Sequence, residues 1–172
     1  MKTGIFAIGA TLAIAFGLLW SMKARASDQD TIAIVTIQWS NFVGETFDYR
    51  ATSAMGNMVK IELQRKGQTS VIVTNEIDGG MSGVLRLAET ASDEMSTNSP
   101  QIPTGKEACV LKVQIVSKTL QKSNSIKGDL TPLMSFFNKK PALHDLLEFV
   151  SRDLPKKYRL IEKRGPLKQF HN

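Results

Sequence analysis

The chain has 172 residues, 42% of them hydrophobic and 22% charged, and 22 Lys and Arg against 16 Asp and Glu give a net charge of +6. That is enough chain and enough apolar character for one domain to stand on its own hydrophobic core. A single cysteine excludes an intramolecular disulfide scaffold, and two histidines with no carboxylate at zinc-site spacing argue against a metal centre.

The N-terminus differs from the rest. Met1-Lys2 is followed by an apolar run from Ile5 to Trp20, and Ala24-Arg25-Ala26 fits the small-x-small rule of a signal peptidase site. Residues 1–26 therefore read as a signal peptide and residues 27–172 as a single exported domain, periplasmic or secreted. The alternative is an uncleaved anchor to the inner membrane formed by residues 5–20. That run is slightly short for a span, and Lys23 and Arg25 weaken the cleavage motif. No cysteine follows the apolar run, so the usual lipoprotein attachment is not expected. Charge is uneven: residues 27–138 carry 10 basic and 12 acidic groups, whereas 139–172 carry 9 basic and 4 acidic groups. The basic C-terminal segment 139–172 is a candidate contact for anionic lipid or cell-wall polymer, and export makes nucleic acid the least expected partner.

In chain order, Thr31 to Trp39 has apolar residues in both parities, which predicts a strand covered on both faces. Arg50 to Lys66 places Ala51, Met55, Met58, Val59 and Leu63 at spacings of three and four, which predicts a helix ending in a Gly67 cap. Thr69 to Thr74 predicts a second strand, so a right-handed β-α-β unit is the favoured arrangement, with an inserted third strand as the alternative. Met81, Val84, Leu85, Ala88 and Met95 predict a second helix, and Asp93 to Gly105, with Pro100 and Pro103, an exposed loop. Cys109, Leu111, Val113 and Ile115 alternate with Lys112 and Gln114, which predicts a half-buried strand within 106–120. Gln121 to Gly128 reads as a polar turn. Thr131 and Pro132 open a short helix with Leu133, Met134, Phe136 and Phe137 inside. Pro141 opens another, with a stripe of Leu143, Leu146, Leu147, Val150 and Leu154. Tyr158 to Glu162 reads as a last edge strand flanked by Lys156, Lys157, Lys163 and Arg164. The fold class expected is α/β or α+β, with a three- to five-stranded mixed sheet and amphipathic helices.

Two stretches carry candidate sites. Trp39, Phe42, Phe47 and Tyr49 concentrate aromatics at the end of the first strand, where ligands collect in open α/β sheets; the competing reading is a plug over the end of the sheet. Asp78 to Gly83 lies between a strand and a helix, and Gly79, Gly80 and Ser82 are its candidate binding residues. It is neither a P-loop, which needs a lysine, nor a nucleophile elbow, since Val84 stands where the elbow needs glycine. A glycine-rich helix cap is the plainer reading. Glu76 and Asp78 form a close acidic pair at a strand end, a spacing far commoner in solvated turns than in catalysis. Cys109 sits in a strand as a small hydrophobe, and His144 reads as a partly exposed surface residue. No cofactor and no catalytic residue is indicated.

The text Ile32-Ala-Ile-Val, Glu62-Leu-Gln-Arg-Lys-Gly67 and Ser70-Val-Ile-Val-Thr74 resembles the opening strand, Lys-Gly helix end and second strand of the periplasmic domains of curli-secretion-channel-like and flagellar outer-membrane accessory proteins. The resemblance covers roughly residues 31–120 and implies a non-catalytic assembly protein of the envelope. The expected function is accordingly exported envelope binding or scaffolding with an envelope protein partner. The alternatives are a small hydrolase of cell-wall or glycan material, built on Glu76, Asp78 and Ser82, or an anion-binding module at the helix start near Gly80.

Overall fold

The computed structural model describes residues 33–96 and 105–161. The proposed signal peptide, the alternative anchor, the two loop prolines and the tail after Ile161 lie outside the described residues.

Six strands form one sheet: β1 (Ile34–Ser40), β2 (Thr46–Ser53), β3 (Met58–Arg65), β4 (Gln68–Glu76), β5 (Ala108–Val116) and β6 (Gln121–Asp129). Their order across the sheet is β4-β3-β2-β1-β5-β6, and every neighbouring pair is antiparallel. The fold is therefore α+β with six antiparallel strands, where a mixed sheet of three to five was expected. Three helices complete it: α1 (Gly80–Ser96), α2 (Leu130–Asn138) and α3 (Pro141–Ser151). A 3-10 turn at Lys156–Tyr158 and an isolated bridge at Ile161 replace the expected last strand.

The largest correction falls on Arg50 to Lys66, which is not a helix but the end of β2, a tight turn and β3. Two period-two sets govern it. Phe47, Tyr49 and Ala51 are buried on β2, and Val59, Ile61 and Leu63 on β3, with polar residues between them. Met55, counted on the expected helical face, is 90% exposed at the tip of the turn. The next connection is also a hairpin. Lys66 and Gly67 both have positive φ, 52° and 76°, as a two-residue turn of the primed kind demands. Positive φ at Gly67 thus serves a hairpin, not a helix end, and the unit is a meander in place of the expected β-α-β crossover. Gln121 to Asp129, read as a turn, is the edge strand β6; only Ile126 and Gly128 along it are buried, so it lacks an apolar stripe.

The helices lie against one face of this sheet. From β4, at one edge, α1 carries the chain across the sheet to β5, which pairs with β1. On the covered face Ile37 stands opposite Tyr49 and Val113, and Trp39 opposite Phe47 and Leu111. All six are buried, as are Val84, Ala88, Ala91 and Met95 of α1, Leu133 and Phe137 of α2, and Leu143, Leu146, Leu147 and Val150 of α3. Fully burying one such large aliphatic side chain contributes roughly 1.5–3 kcal/mol, so this layer is the main source of stability.

Polar ties fix the helices on the sheet. The Glu94 carboxylate of α1 accepts the backbone N–H groups of Ala142 (3.3 Å) and Leu143 (2.8 Å) at the start of α3, whose own N-cap, Lys140, gives no side-chain bond. Asn124 of β6 donates to the Ser92 carbonyl at 2.9 Å, and Lys122 pairs with Asp93. Asn75 of β4 donates to the Phe149 carbonyl of α3 at 3.3 Å. Among the described residues no helix is long and apolar enough to cross a membrane.

Candidate functional site

The aromatic cluster does not form a contact surface. Trp39 and Tyr49 are 0% exposed and Phe47 2%, so these three are core residues of β1 and β2. Their parity dictates this: each falls on the helix-covered face, and only the shared face of the pleat joins them. The Trp39 indole N–H is buried with no hydrogen-bond partner. Phe42 is half-buried in the β1–β2 loop, which Asn41 closes by accepting the Glu45 N–H on its side chain at 2.9 Å. The reading as a plug over the end of the sheet fits Phe42, while its neighbour Val43 is the exposed apolar residue of this loop.

The glycine-rich stretch is a packing device. Gly80 is buried at the first turn of α1 with φ 55°, and a Cβ there would lie 3.2 Å from Asn57 Cα in the β2–β3 turn. A Cβ on Gly83 would fall 2.2 Å from the Asp78 carbonyl oxygen, so only glycine fits. The Gly80 N–H is taken by the Ile77 carbonyl at 2.9 Å. Gly79, Ser82, Asp78 and Glu76 are exposed. Gly80 is thus accounted for by the close approach of α1 to a hairpin, Gly83 by the turn that opens the helix, and Gly79 by its φ of 75°.

Cys109 is 0% exposed on the covered face of β5. Burial pushes its thiol up from 9.0 to about 11; a backbone hydrogen bond from Phe42 lowers it, and the charges of Glu107 and Asp129 add to the rise. A thiol held protonated in this way is not a nucleophile. His144 is buried at 7% exposure, where a surface position was expected. Its Nδ1 lies 3.7 Å from Asp145 Oδ1, and Glu148 is near enough for the three to offer ligand atoms within 4.8 Å of one another. Donors sharing one tetrahedral zinc stand about 3.3 Å apart, given bonds of about 2.0–2.1 Å. The 3.7 Å between His144 Nδ1 and Asp145 Oδ1 is wider than that, and His144 Nε2 is buried without a partner among the described residues and commits no second bond to orient the ring.

The surface that remains is the other face of the sheet. Because all three helices pack on one side, the outward parity of every strand is left open among the described residues. In the four central strands it carries Thr36, Gln38 and Ser40 on β1, Asp48 and Arg50 on β2, Lys60 and Glu62 on β3, and Lys112 and Gln114 on β5. Most are half-exposed. Two contacts join β1 to β2, Gln38 donating to Asp48 at 2.8 Å and Ser40 sharing a hydroxyl bond of 2.8 Å with Thr46, and along β3 Lys60 pairs with Glu62 at 2.8 Å. Arg50 stands opposite Thr36 and Glu62, and Lys112 opposite Gln38. Neither has an ion pair among the described residues. The result is a polar platform with hydrogen-bonding groups of both senses and two unpaired cations near its centre.

The described part of the basic C-terminal segment is tied into the fold in places. Arg159 donates to the Leu154 carbonyl at 3.0 Å, Lys140 lies over Phe136, and Lys157 over Tyr158. Lys139 and Lys156 are exposed. The stretch from Glu62 to Gly67, which carries the likeness to envelope-assembly domains, is β3 and its hairpin turn and not the end of a helix. Set against models of known protein families and against curated proteins, the chain matches none.

Proposed function

We propose that this chain is an exported, non-catalytic binding or assembly protein of the cell envelope, and that it meets its protein partner through the open face of the sheet. The observation that supports this reading is the platform itself: one whole side of a six-stranded sheet bears Arg50 and Lys112 among paired polar neighbours, with no helix laid over it among the described residues. Groups of this kind give orientation and partner selection more than raw affinity. The apolar N-terminal run supplies the export signal, and the basic C-terminal segment is a second contact, for anionic lipid or cell-wall polymer.

The test is fractionation and affinity capture of the tagged full-length protein, with intact-mass analysis. A mass beginning at Ser27, together with envelope proteins that co-purify, is the expected result. Replacing Arg50 and Lys112 together by Gln, which removes both charges without setting like charges opposite Glu62, should abolish co-purification and leave the melting temperature within a few degrees of the original. Co-purification that survives this double replacement overturns the assignment of the face. A protein retained in the cytoplasm overturns the assignment to the envelope.

A further inference from the structure

The two edges of the sheet are not alike. β6 carries Lys122, Lys127, Gly128 and Asp129, features that discourage another strand from pairing with it. β4 has no such protection. Its nine residues, Gln68 to Glu76, include no Lys, Arg, Pro or Gly, and the only charge is at the last position. The strand pairs with β3 on one side alone, and no described strand lies on the other. Ile72 is 56% exposed on the open face, and Val71 and Val73 are only half-buried although they belong to the covered face. A bulge opposite Gln64 disturbs the Gln68 end and leaves Val71 to Glu76 regular.

The middle of β4 is nearly the same read in either direction. About Ile72 as centre, Val71 matches Val73 and Ser70 matches Thr74; the bulge at Ser70 turns Thr69 and Gln68 to the faces opposite those of Asn75 and Glu76, so the symmetric stretch is Ser70 to Thr74. That is the pattern a strand needs to pair with its own copy in antiparallel fashion, because a two-fold axis places residue i opposite j and j opposite i. We infer that β4 pairs with β4 of a second copy of this chain, with Ile72 on the two-fold axis. The axis then stands perpendicular to the sheet, so both helical layers lie on the same side. Val71 of each copy meets Val73 of the other beside the core, and the half-buried valines become covered. Glu76, the only charge of the strand, lies outside this symmetric stretch, so no like charges oppose each other within it. The product is one continuous twelve-stranded sheet with a doubled open face. Pairing over so short a stretch buries less than a standard interface, which places the dimer in the weaker, reversible class.

Site-directed cross-linking of the full-length chain in the cells that express it tests the pairing and its register. Ile72→Cys, at an exposed position, is treated with a short bis-maleimide; the unmodified chain, whose Cys109 is buried, is the blank. Gln68→Cys and Ser125→Cys are the controls: Gln68 lies far from its own copy in this register, and Ser125 is on the other edge. A band at twice the chain's mass, at least tenfold stronger for Ile72→Cys than for either control, is the expected result. Co-expressed Ser70→Cys and Thr74→Cys chains should cross-link to each other more than either does to itself. Equal cross-linking at all positions, or none at Ile72 and none between Ser70 and Thr74, overturns the inference. So does an Ile72→Cys product with a different protein, which would make the edge a site for another partner. None of these outcomes depends on what binds the open face.

Discussion

The Tyr49 hydroxyl, buried at the centre of the sheet, donates a 3.0 Å hydrogen bond to the main-chain carbonyl oxygen of Tyr158, 109 positions later in the chain. It is the polar link between β2 and the 3-10 turn that closes the described fold. A second link works beside it: the Ser151 hydroxyl donates to the Leu147 carbonyl at 2.7 Å and accepts the Leu160 N–H at 3.0 Å. Together they hold the segment after α3 against the core, so Leu154 and Leu160 are buried outside any helix or strand, and Ile161 is buried at its isolated bridge.

Tyr49→Phe keeps the ring and removes the bond. The expected loss is about 1 kcal/mol at neutral pH, read as a lower urea midpoint with an unchanged slope. Burial, with the Tyr158 phenol second, holds the Tyr49 hydroxyl well above 10.0. The folded state therefore keeps this proton where the unfolded state gives it up. The contribution is complete below about pH 10 and falls as the pH rises further. Stability of the unmodified chain should thus drop more steeply above pH 10 than that of Tyr49→Phe; parallel alkaline profiles would show that the phenol is not the titrating group.

How much of this was legible follows from which residues carry a period. β5 was readable because Leu111, Val113 and Ile115 alternate with Lys112 and Gln114, and α1 and α3 because their apolar stripes keep to spacings of three and four. β2 and β3 were not. A hairpin with its turn at Met55 to Asn57 places Ala51, Met58, Val59 and Leu63 at helical spacings by coincidence, and Ile61, which breaks that stripe, is the informative residue. β6 hid because an edge strand over the margin of a helix buries little; Lys122 and Asn124 face α1, where they meet Asp93 and Ser92. The open face was illegible in principle. Arg50, Lys60 and Lys112 become neighbours only through the strand order, and the face is open only because three helices choose the same side. The aromatic residues misled because composition marks contact surfaces and cores alike, and parity alone separates them.

The hairpin turn offers a gain. Lys66 holds φ 52°, a conformation that disfavours residues with a Cβ, and Gly67 follows it. Lys66→Asn makes the pair most favoured in primed two-residue turns. The expected rise is about 0.5–1 kcal/mol, measured by chemical denaturation. Gly67→Ala should lower stability by a similar or larger amount. An equal response to both changes would mean that the turn does not hold the described geometry.

Cys109 provides a probe of the core. Its thiol is 0% exposed and raised to about 11. The native protein should not react with a thiol reagent at pH 8, and one equivalent should react in denaturant. Exchange at intermediate times then reports the opening of β5 against β1 and β6. Cys109→Val should be tolerated with little loss. Rapid native reaction at pH 8 would place the thiol outside the core.

Glu94 tests how α1 and α3 are joined. α3 begins with Pro141 and has no side-chain cap of its own, so the N–H groups of Ala142 and Leu143 rely on a carboxylate from another helix. Glu94→Ala leaves both donors to water and removes a negative charge from the positive end of α3. A loss of about 1 kcal/mol is expected. Glu94→Gln keeps one acceptor and loses the charge, so it should fall between the two. Salt separates the contributions: screening weakens the interaction of the carboxylate with the helix dipole and leaves the neutral bond of the glutamine nearly as it was. The gap between Glu94 and Glu94→Gln should therefore narrow at high ionic strength, while the gap between Glu94→Gln and Glu94→Ala persists. If Glu94→Ala melts at the same temperature as the unmodified chain, the start of α3 is held by packing of Leu143, Leu146 and Leu147 alone.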